Sequence, residues 1–196
     1  MARERATDTQ ALVSAAAKTF REKGYRNSTI DDIALAAGIS RPTVYKYTRT
    51  KQQLLDLMVD EMTMKLEEEL RSVQSAADDP VERLQKTIMA HIQASSANRT
   101  FYAIVFSEEA ELSDAARKTF RSWAHQQTKE FASLLDECLA ARTGSRRKRP
   151  DVDTRIAANL LESMLATLYR WYDPERSTSP ERLAEQIWLL FGSAFE

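Results

Sequence analysis

The chain has 196 residues, with 28 Lys or Arg against 29 Asp or Glu, which gives a formal net charge of −1. Its single cysteine cannot form an internal disulfide or a cysteine-based zinc site, so we expect a reducing, cytoplasmic environment. No apolar run reaches the roughly 20 residues of a membrane-spanning helix, and the polar first residues are not typical of a signal peptide. With 4 Gly, 5 Pro and 43% hydrophobic residues, collagen-like and disordered classes are also excluded.

The neutral total hides an uneven distribution of charge. Residues 1–51 hold 10 basic and 5 acidic residues, a net charge of +5, and residues 52–196 have a net charge of −6. A basic N-terminal segment on an acidic remainder is typical of a nucleic-acid-binding head attached to a body with a different task. We therefore predict two domains, 1–51 and 52–196.

Nine helices are predicted in chain order from apolar periodicity and from capping residues. The residues predicted to cap helix starts are Thr7, Thr29, Ser40, Thr50, Asp79, Ser113 and Ser179. Gly24 and Gly38 follow the first two helices, where a left-handed residue commonly ends a helix. The sixth helix is predicted at 101–106, and the eighth from about Val152, after a loop at 143–150. No window is typical of a strand, so the predicted fold is all-α, with a long fourth helix joining a three-helix head to a helical body.

The segment 30–47 has the spacing of a helix-turn-helix. Ala34 provides the small residue needed where two short helices cross, and Gly38 tolerates the positive φ of a tight turn. Ile33, Ile39 and Val44 are placed to form a small core with the first helix. The second helix of such a pair projects its N-terminal residues into the major groove of DNA, and an ordinary corner between two helices is the alternative.

Residues 12–58, which include Gly-Ile-Ser-Arg-Pro-Thr-Val-Tyr-Lys-Tyr at 38–47, resemble the N-terminal domain of TetR-family transcriptional repressors. Beyond that segment, the resemblance rests on chain length, helix number and the start of the last helix. Thr48 departs from the family pattern, in which Phe is common. Asp31 stands where the tetracycline repressor itself often has a base-contacting Arg, and we expect it to interact with the helix dipole.

The resemblance implies a homodimer that binds a palindromic DNA operator and is released by a small, largely apolar or aromatic effector. The implied DNA-binding residues are Thr29, Ser40, Arg41, Pro42, Thr43, Tyr45, Lys46, Tyr47, Thr50 and Lys51. Among them, Arg41 and Thr43 are expected at base edges, Lys46 at a base or a phosphate, and Lys51 at a phosphate. Tyr45 is expected to contact the DNA backbone or, alternatively, to support the recognition helix.

In the body, the resemblance implies a ligand site framed by apolar and aromatic side chains, each of which is alternatively plain core. These residues are Met58, Met62, Met89, Phe101, Tyr102, Phe106, Trp123 and Phe131. His91, His125 and Gln127 are candidate polar contacts for the ligand. The broad apolar faces of the last two helices indicate dimerisation, with burial inside a monomer as the alternative. The implied interface residues are Leu160, Leu161, Met164, Leu168, Trp171, Ile187, Trp188 and Phe191.

An enzyme and a protein-interaction module are the two other classes of function that the sequence could represent. An enzyme is disfavoured because the two His residues lie far apart and no phosphate-binding loop, nucleophile elbow or metal-ligand spacing occurs. Cys138 lies on an apolar stripe and is interpreted as buried filler. We expect neither a cofactor nor a metal. The remaining alternative is a helical module that binds a protein partner and no specific DNA sequence. The basic run at 146–149 is interpreted as a solvated loop.

Overall fold

The computed structural model describes residues 2–76, 79–141, 151–176 and 178–192. Within these ranges it is all-α, as predicted, and contains no strand. The helices are α1 (Ala2–Lys23), α2 (Ile30–Ala37), α3 (Arg41–Val44), α4 (Lys51–Ala76), α5 (Pro80–Ala97), α6 (Arg99–Ser107), α7 (Asp114–Ala141), α8 (Thr154–Ala166) and α9 (Pro180–Phe191). Two short 3₁₀ turns, Glu109–Glu111 and Leu168–Arg170, were not predicted. The loop predicted at 143–150 lies outside the described residues.

Local capping bonds explain most of the helix starts. Thr29 Oγ1 accepts from the Asp32 N–H at 3.1 Å, and the Asp32 carboxylate accepts from the Thr29 N–H at 2.9 Å, which completes a capping box. Side chains that accept a similar backbone bond start α3, α4, α5, α7 and α9; they are Ser40, Thr50, Asp79, Ser113 and Ser179. These six predicted caps are confirmed.

Two predicted helix starts were wrong. Helix α1 begins at Ala2, before the capping position predicted at Thr7, because Ala, Arg and Glu at 2–6 are good helix formers and no breaker interrupts them. Helix α8 begins at Thr154, after Val152, because the Asp153 carboxylate accepts from the N–H groups of Arg155 and Ile156. Leu168, predicted inside this helix, lies in the second 3₁₀ turn.

Contacts divide the chain into two compact units. Unit 1 comprises Met1–Thr63 and Arg99–Phe120, and it includes the predicted head at 1–51. There α1 packs against α2 and α6, and the buried core includes Leu12, Phe20, Ile33, Val44, Leu55 and Met58.

Unit 2 comprises Met64–Asn98 and Arg121–Glu196. Here α5 packs against α8, α9 and the second 3₁₀ turn. Its main core cluster includes Leu84, Ile88, Phe131, Leu135, Leu161, Leu165, Tyr172 and Ile187. A smaller cluster is formed by Leu66, Leu70, Ala90 and Ala94, with Trp123 packed against it. Among the described residues, no helix is long and apolar enough to cross a membrane.

Candidate nucleic-acid interface and ligand cavity

Helices α2 and α3 form a tight helix-turn-helix. Gly38 ends α2 with φ 68°, a left-handed conformation that is costly for residues with a Cβ. The N–H of Ile39 donates to Ala34 O at 3.1 Å, which closes the turn. Ile33, Ala34 and Val44 are buried beneath it. The predictions for Ala34, Gly38, Ile33 and Val44 are therefore confirmed, whereas Ile39, also predicted in this small core, is only half-buried.

Helix α3 presents a short exposed face. Ser40, Arg41, Pro42, Tyr45 and Lys46 are exposed, whereas Thr43 and Tyr47 are half-buried. The buried Val44 anchors the helix from the other side. The exposed side chains of α3 and of the residues on either side of it are thus available to a groove of nucleic acid.

Arg41, the first residue of α3, is held by two neighbours. Its Nη1 lies 3.0 Å from Asp31 Oδ2, and its Nη2 donates to the Tyr45 hydroxyl at 3.2 Å. The guanidinium carbon also lies 5.6 Å from the centroid of the Tyr45 ring. Asp31 lies in the first turn of α2, as expected for a dipole interaction, but the sequence did not indicate its ion pair with Arg41.

Lys51 has partners other than the expected phosphate. Its Nζ donates to Tyr25 O at 2.6 Å, Ser28 O at 2.7 Å and Arg26 O at 3.2 Å, and it lies 4.8 Å from the centroid of the Tyr25 ring. An ammonium group has three protons, and three carbonyl oxygens accept them here. Lys51 therefore connects the start of α4 to the segment between α1 and α2 through hydrogen bonds.

Hydroxyl groups near the head are engaged in capping. Thr29 Oγ1 belongs to the capping box of α2, and Thr50 Oγ1 accepts from the Gln53 N–H at 3.2 Å. Thr48, where many family members have Phe, is buried, and its hydroxyl lies 2.8 Å from Thr50 O and 3.2 Å from Gln53 Oε1. The departure at Thr48 is accommodated by hydrogen bonds instead of ring packing.

A cavity of about 310 Å³ lies within unit 2 between α4, α5 and α7. Its lining residues are Leu70, Arg83, Thr87, His91, Gln127, Glu130, Phe131, Ser133, Leu134 and Glu137. Three residues that the sequence singled out for the ligand, Phe131, His91 and Gln127, come together here. Arg83 and Thr87 were missed, although with His91 they form a polar stripe at i, i+4 and i+8 beside the apolar stripe of α5.

The cavity contains polar atoms that are suited to a ligand. Arg83 Nη2 lies 2.6 Å from Glu137 Oε2. Its buried Nε and the buried Nε2 of His91 have no hydrogen-bond partner among the described residues. Burial lowers the pKa of His91 to about 4, so this imidazole is neutral at pH 7. Because buried polar atoms are normally paired, two such atoms on residues that line one cavity favour a ligand that pairs with them.

The other predicted ligand residues lie elsewhere. Met58, Met62, Phe101 and Tyr102 are buried in unit 1, where the half-buried Phe106 ring contacts the rings of Tyr102 and Phe120. In unit 2, Met89 is half-buried on α5, Trp123 packs against the smaller cluster, and His125 is exposed.

The predicted interface residues divide into core and surface. Leu161, Leu168 and Ile187 are buried in the core of unit 2, and Met164, Trp188 and Phe191 pack against that core. Leu160 and Trp171 are 58% and 57% exposed. Ile156, Leu189 and Leu190 are also exposed apolar residues, and they were not among the predicted interface residues.

The part of the chain that the structure describes contains neither a cluster of metal ligands nor a reactive thiol. No group of three or more His, Cys, Asp or Glu residues there could hold a metal ion. Cys138 is buried in the core, and burial raises its thiol pKa to about 11, which leaves it a poor nucleophile.

Comparisons with known proteins agree with this geometry. The sequence model described as "Bacterial regulatory proteins, tetR family" matches residues 12–58, and the model described as "Tetracyclin repressor-like, C-terminal domain" matches residues 77–194. The HTH-type transcriptional repressor KstR2 of Mycolicibacterium smegmatis is 27% identical over 177 residues, which cover 89% of this chain and 84% of that repressor.

Solved structures share the fold. The ketosteroid transcriptional regulator KstR2 of Mycobacterium tuberculosis aligns with a TM-score of 0.81 at 24% identity, covering 96% of this chain and 95% of that one. AibR in complex with isovaleryl coenzyme A and operator DNA aligns with a TM-score of 0.73 at 24% identity, covering 94% and 98% of the two chains. The helix-turn-helix, the helical body and the two matching sequence models lead to one conclusion: the chain belongs to the TetR family and is a DNA-binding transcriptional repressor, not an enzyme.

Proposed function

We propose that this repressor works as a homodimer that reads a palindromic operator with α3 and releases it when a small carbonyl- or carboxylate-bearing molecule enters the cavity of unit 2. The observation that carries the proposal is that two residues lining that cavity, Arg83 and His91, each have a buried nitrogen, Nε and Nε2, without a partner among the described residues.

On α3, Arg41 and Thr43 are the residues proposed to meet base edges. Arginine pairs bidentately with guanine, and the threonine methyl group contacts thymine. Two of the five guanidinium N–H groups of Arg41 are engaged by Asp31 and Tyr45, so three remain for DNA. Tyr45, Lys46 and Tyr47, which follow α3, supply contacts to the backbone, and the side chain of Lys46 is exposed.

Dimerisation is proposed through α8 and α9. Ile156 and Leu160 lie one turn apart on α8, and both are exposed. Leu189 and Leu190 on α9 are 64% and 76% exposed. Burying such side chains against a second copy removes apolar surface from water, at about 25 cal/mol per Å². A two-fold dimer places two α3 helices in successive major grooves, roughly 34–36 Å apart.

The effector is proposed from the chemistry of the cavity. Arg83 Nε–H can only donate, so its partner on the ligand is an acceptor, for which we propose a carbonyl or carboxylate oxygen. Phe131 and Leu134 offer an apolar wall, and the centroids of the Phe131 and His91 rings are 5.1 Å apart. A volume of about 310 Å³ lies at the lower end for ligand pockets and suits a small molecule or one end of a larger one. AibR, which shares the fold, is named in complex with isovaleryl coenzyme A, a thioester with a carbonyl group.

Release requires the effector to prefer a conformation that binds DNA poorly. Helix α4 contributes Leu70 to the cavity wall, and its earlier residues, up to Thr63, belong to unit 1 with the head. A shift of this continuous helix is the proposed link between effector and DNA. The effector weakens DNA binding by its differential affinity for the two states, and DNA weakens effector binding by the same factor.

The test begins with selection of bound DNA from a random pool, followed by a screen of carbonyl and carboxylate metabolites for release. Arg83→Lys keeps the charge facing Glu137 but removes the Nε–H group, so this variant should bind operator normally and respond weakly to effector. Arg155→Lys, at an exposed arginine of α8, is the matched control and should respond like the wild type.

The outcomes separate the parts of the proposal. A palindromic selected site with half-sites one helical turn apart supports the dimer and the reading helix together. A pool without a common sequence would favour the helical interaction module. An Arg83→Lys variant that releases operator at the wild-type effector concentration would remove the cavity from the mechanism.

A further inference from the structure

We propose that Asp31 is a positioning residue for DNA reading: its carboxylate fixes the Arg41 guanidinium for guanine and thereby sets the base preference at one operator position. This inference rests on the proposed function, in which α3 reads base edges. Asp31 itself lies on α2, outside the recognition helix. An acidic side chain near the phosphates opposes DNA binding, so its presence beside the reading arginine calls for a compensating role.

The geometry holds Arg41 from two sides. Asp31 Oδ2 lies 3.0 Å from Nη1, and the Tyr45 hydroxyl lies 3.2 Å from Nη2. Asp31 comes from the first turn of α2, and Tyr45 follows Arg41 by four residues, so the Gly38 turn and the α3 register bring the three together. Each terminal nitrogen of the guanidinium carries two protons, and each retains one after these contacts. Guanine offers two acceptors, O6 and N7, one for each of these terminal nitrogens.

The benefit of the ion pair is preorganisation rather than stability. The side chains of Asp31 and Arg41 are 60% and 56% exposed, so their attraction in the free protein is weak. An unrestrained arginine loses rotamer freedom when it docks on a base, and an arginine already held in place loses less. Because a restrained guanidinium is presented in one direction, it also accommodates other bases less readily. Asp31 is therefore expected to act on discrimination through Arg41.

The proposal predicts two effects of opposite sign. Removing the Asp31 charge should strengthen binding to random DNA, because one repulsion from the phosphates is lost. The same change should weaken the preference for guanine over other bases at the Arg41 position, by about two- to fivefold, the range for one exposed ion pair. A merely structural or purely electrostatic role of Asp31 would not reduce the preference at one position alone.

The experiment measures binding of the full chain to the selected operator, to operators with each base at the Arg41 position, and to random DNA. The variants are Asp31→Asn, Asp31→Ser, Arg41→Ala and the double variant Asp31→Asn/Arg41→Ala. Glu22→Gln is the matched control, because it removes one negative charge from exposed Glu22 of α1 without touching Arg41. Two substitutions of Asp31 are used so that poor folding of one leaves the other to decide.

The expected result is a reduced guanine preference in both Asp31 variants, no change of preference in Glu22→Gln, and no further loss in the double variant beyond Arg41→Ala. Tighter binding to every DNA with an unchanged preference would overturn the inference and leave Asp31 as a simple repulsive charge. If Arg41→Ala changes no base preference, the proposed reading function of Arg41 fails. If Arg41→Ala relaxes one position and the Asp31 variants do not, only the present inference fails.

Discussion

Replacement of Lys51 by methionine separates a structural lysine from a phosphate-binding one. Lys51→Met keeps most of the aliphatic stem and removes the ammonium that donates to the carbonyl oxygens of Tyr25, Arg26 and Ser28 at 2.6–3.2 Å. Hydrogen bonds of a charged group contribute about 1.5–3 kcal/mol net. We expect the free energy of unfolding to fall by about 2–3 kcal/mol, which for a chain of this length lowers Tm by roughly 4–12 °C.

The matched control is Lys46→Met, at an exposed lysine just after α3. This variant should melt like the wild type, and the slope of log K against log salt should become shallower by about one phosphate contact. Thermal denaturation and operator titrations at several salt concentrations measure both quantities. For Lys51→Met we expect the reverse pattern, a lower Tm with an unchanged salt slope. A Lys51→Met protein with wild-type Tm and a shallower salt slope would refute the structural role.

Two further predictions concern His91 and Gly38. Burial lowers the pKa of His91 from 6.5 to about 4, so between these pH values the unfolded chain binds a proton that the folded chain does not. The free energy of unfolding should therefore fall by up to about 3 kcal/mol as pH drops from 6.5 to 4. Urea titrations at several pH values should show that His91→Phe lacks this part of the pH dependence. If the wild type and His91→Phe lose the same stability over this pH range, the burial of a neutral imidazole is contradicted. Gly38 has φ 68° with nothing near an added Cβ, so Gly38→Ala should cost about 1–2 kcal/mol from backbone strain alone. Gly38→Asn should cost less, since Asn tolerates this conformation, and the opposite order in chemical denaturation would argue against strain as the cause.

Features that depend on near neighbours in the chain could be predicted. The capping residues Thr29, Ser40 and Ser179 each accept from an N–H group three positions later, so a short stretch of sequence contains both partners of each bond. Gly38 could be predicted for the same reason, because the turn it ends is local. The early start of α1 was missed since good helix formers extend a helix without any distinct signal.

Tertiary structure decided which polar partner each charged residue contacts. Lys51 finds acceptors more than 20 residues earlier in the chain, and Arg41 finds Asp31 across the turn. An exposed lysine and a half-buried, hydrogen-bonded lysine have the same sequence pattern, so the resemblance implied a phosphate contact for Lys51, whereas the fold supplies three carbonyl oxygens.

The sequence by itself determined that this protein is an all-α, DNA-binding regulator. The evidence for this was the basic N-terminal segment, the helix-turn-helix spacing of Ala34 and Gly38, and helix ends marked by capping residues. Only the tertiary structure decided which apolar residues are core and which are surface, as with the buried Leu161 beside the exposed Leu160. It also brought Arg83, His91 and Phe131 from α5 and α7 to one cavity. The physical reason is that helix periodicity sets which residues share a face, whereas the partner of that face depends on how distant helices pack.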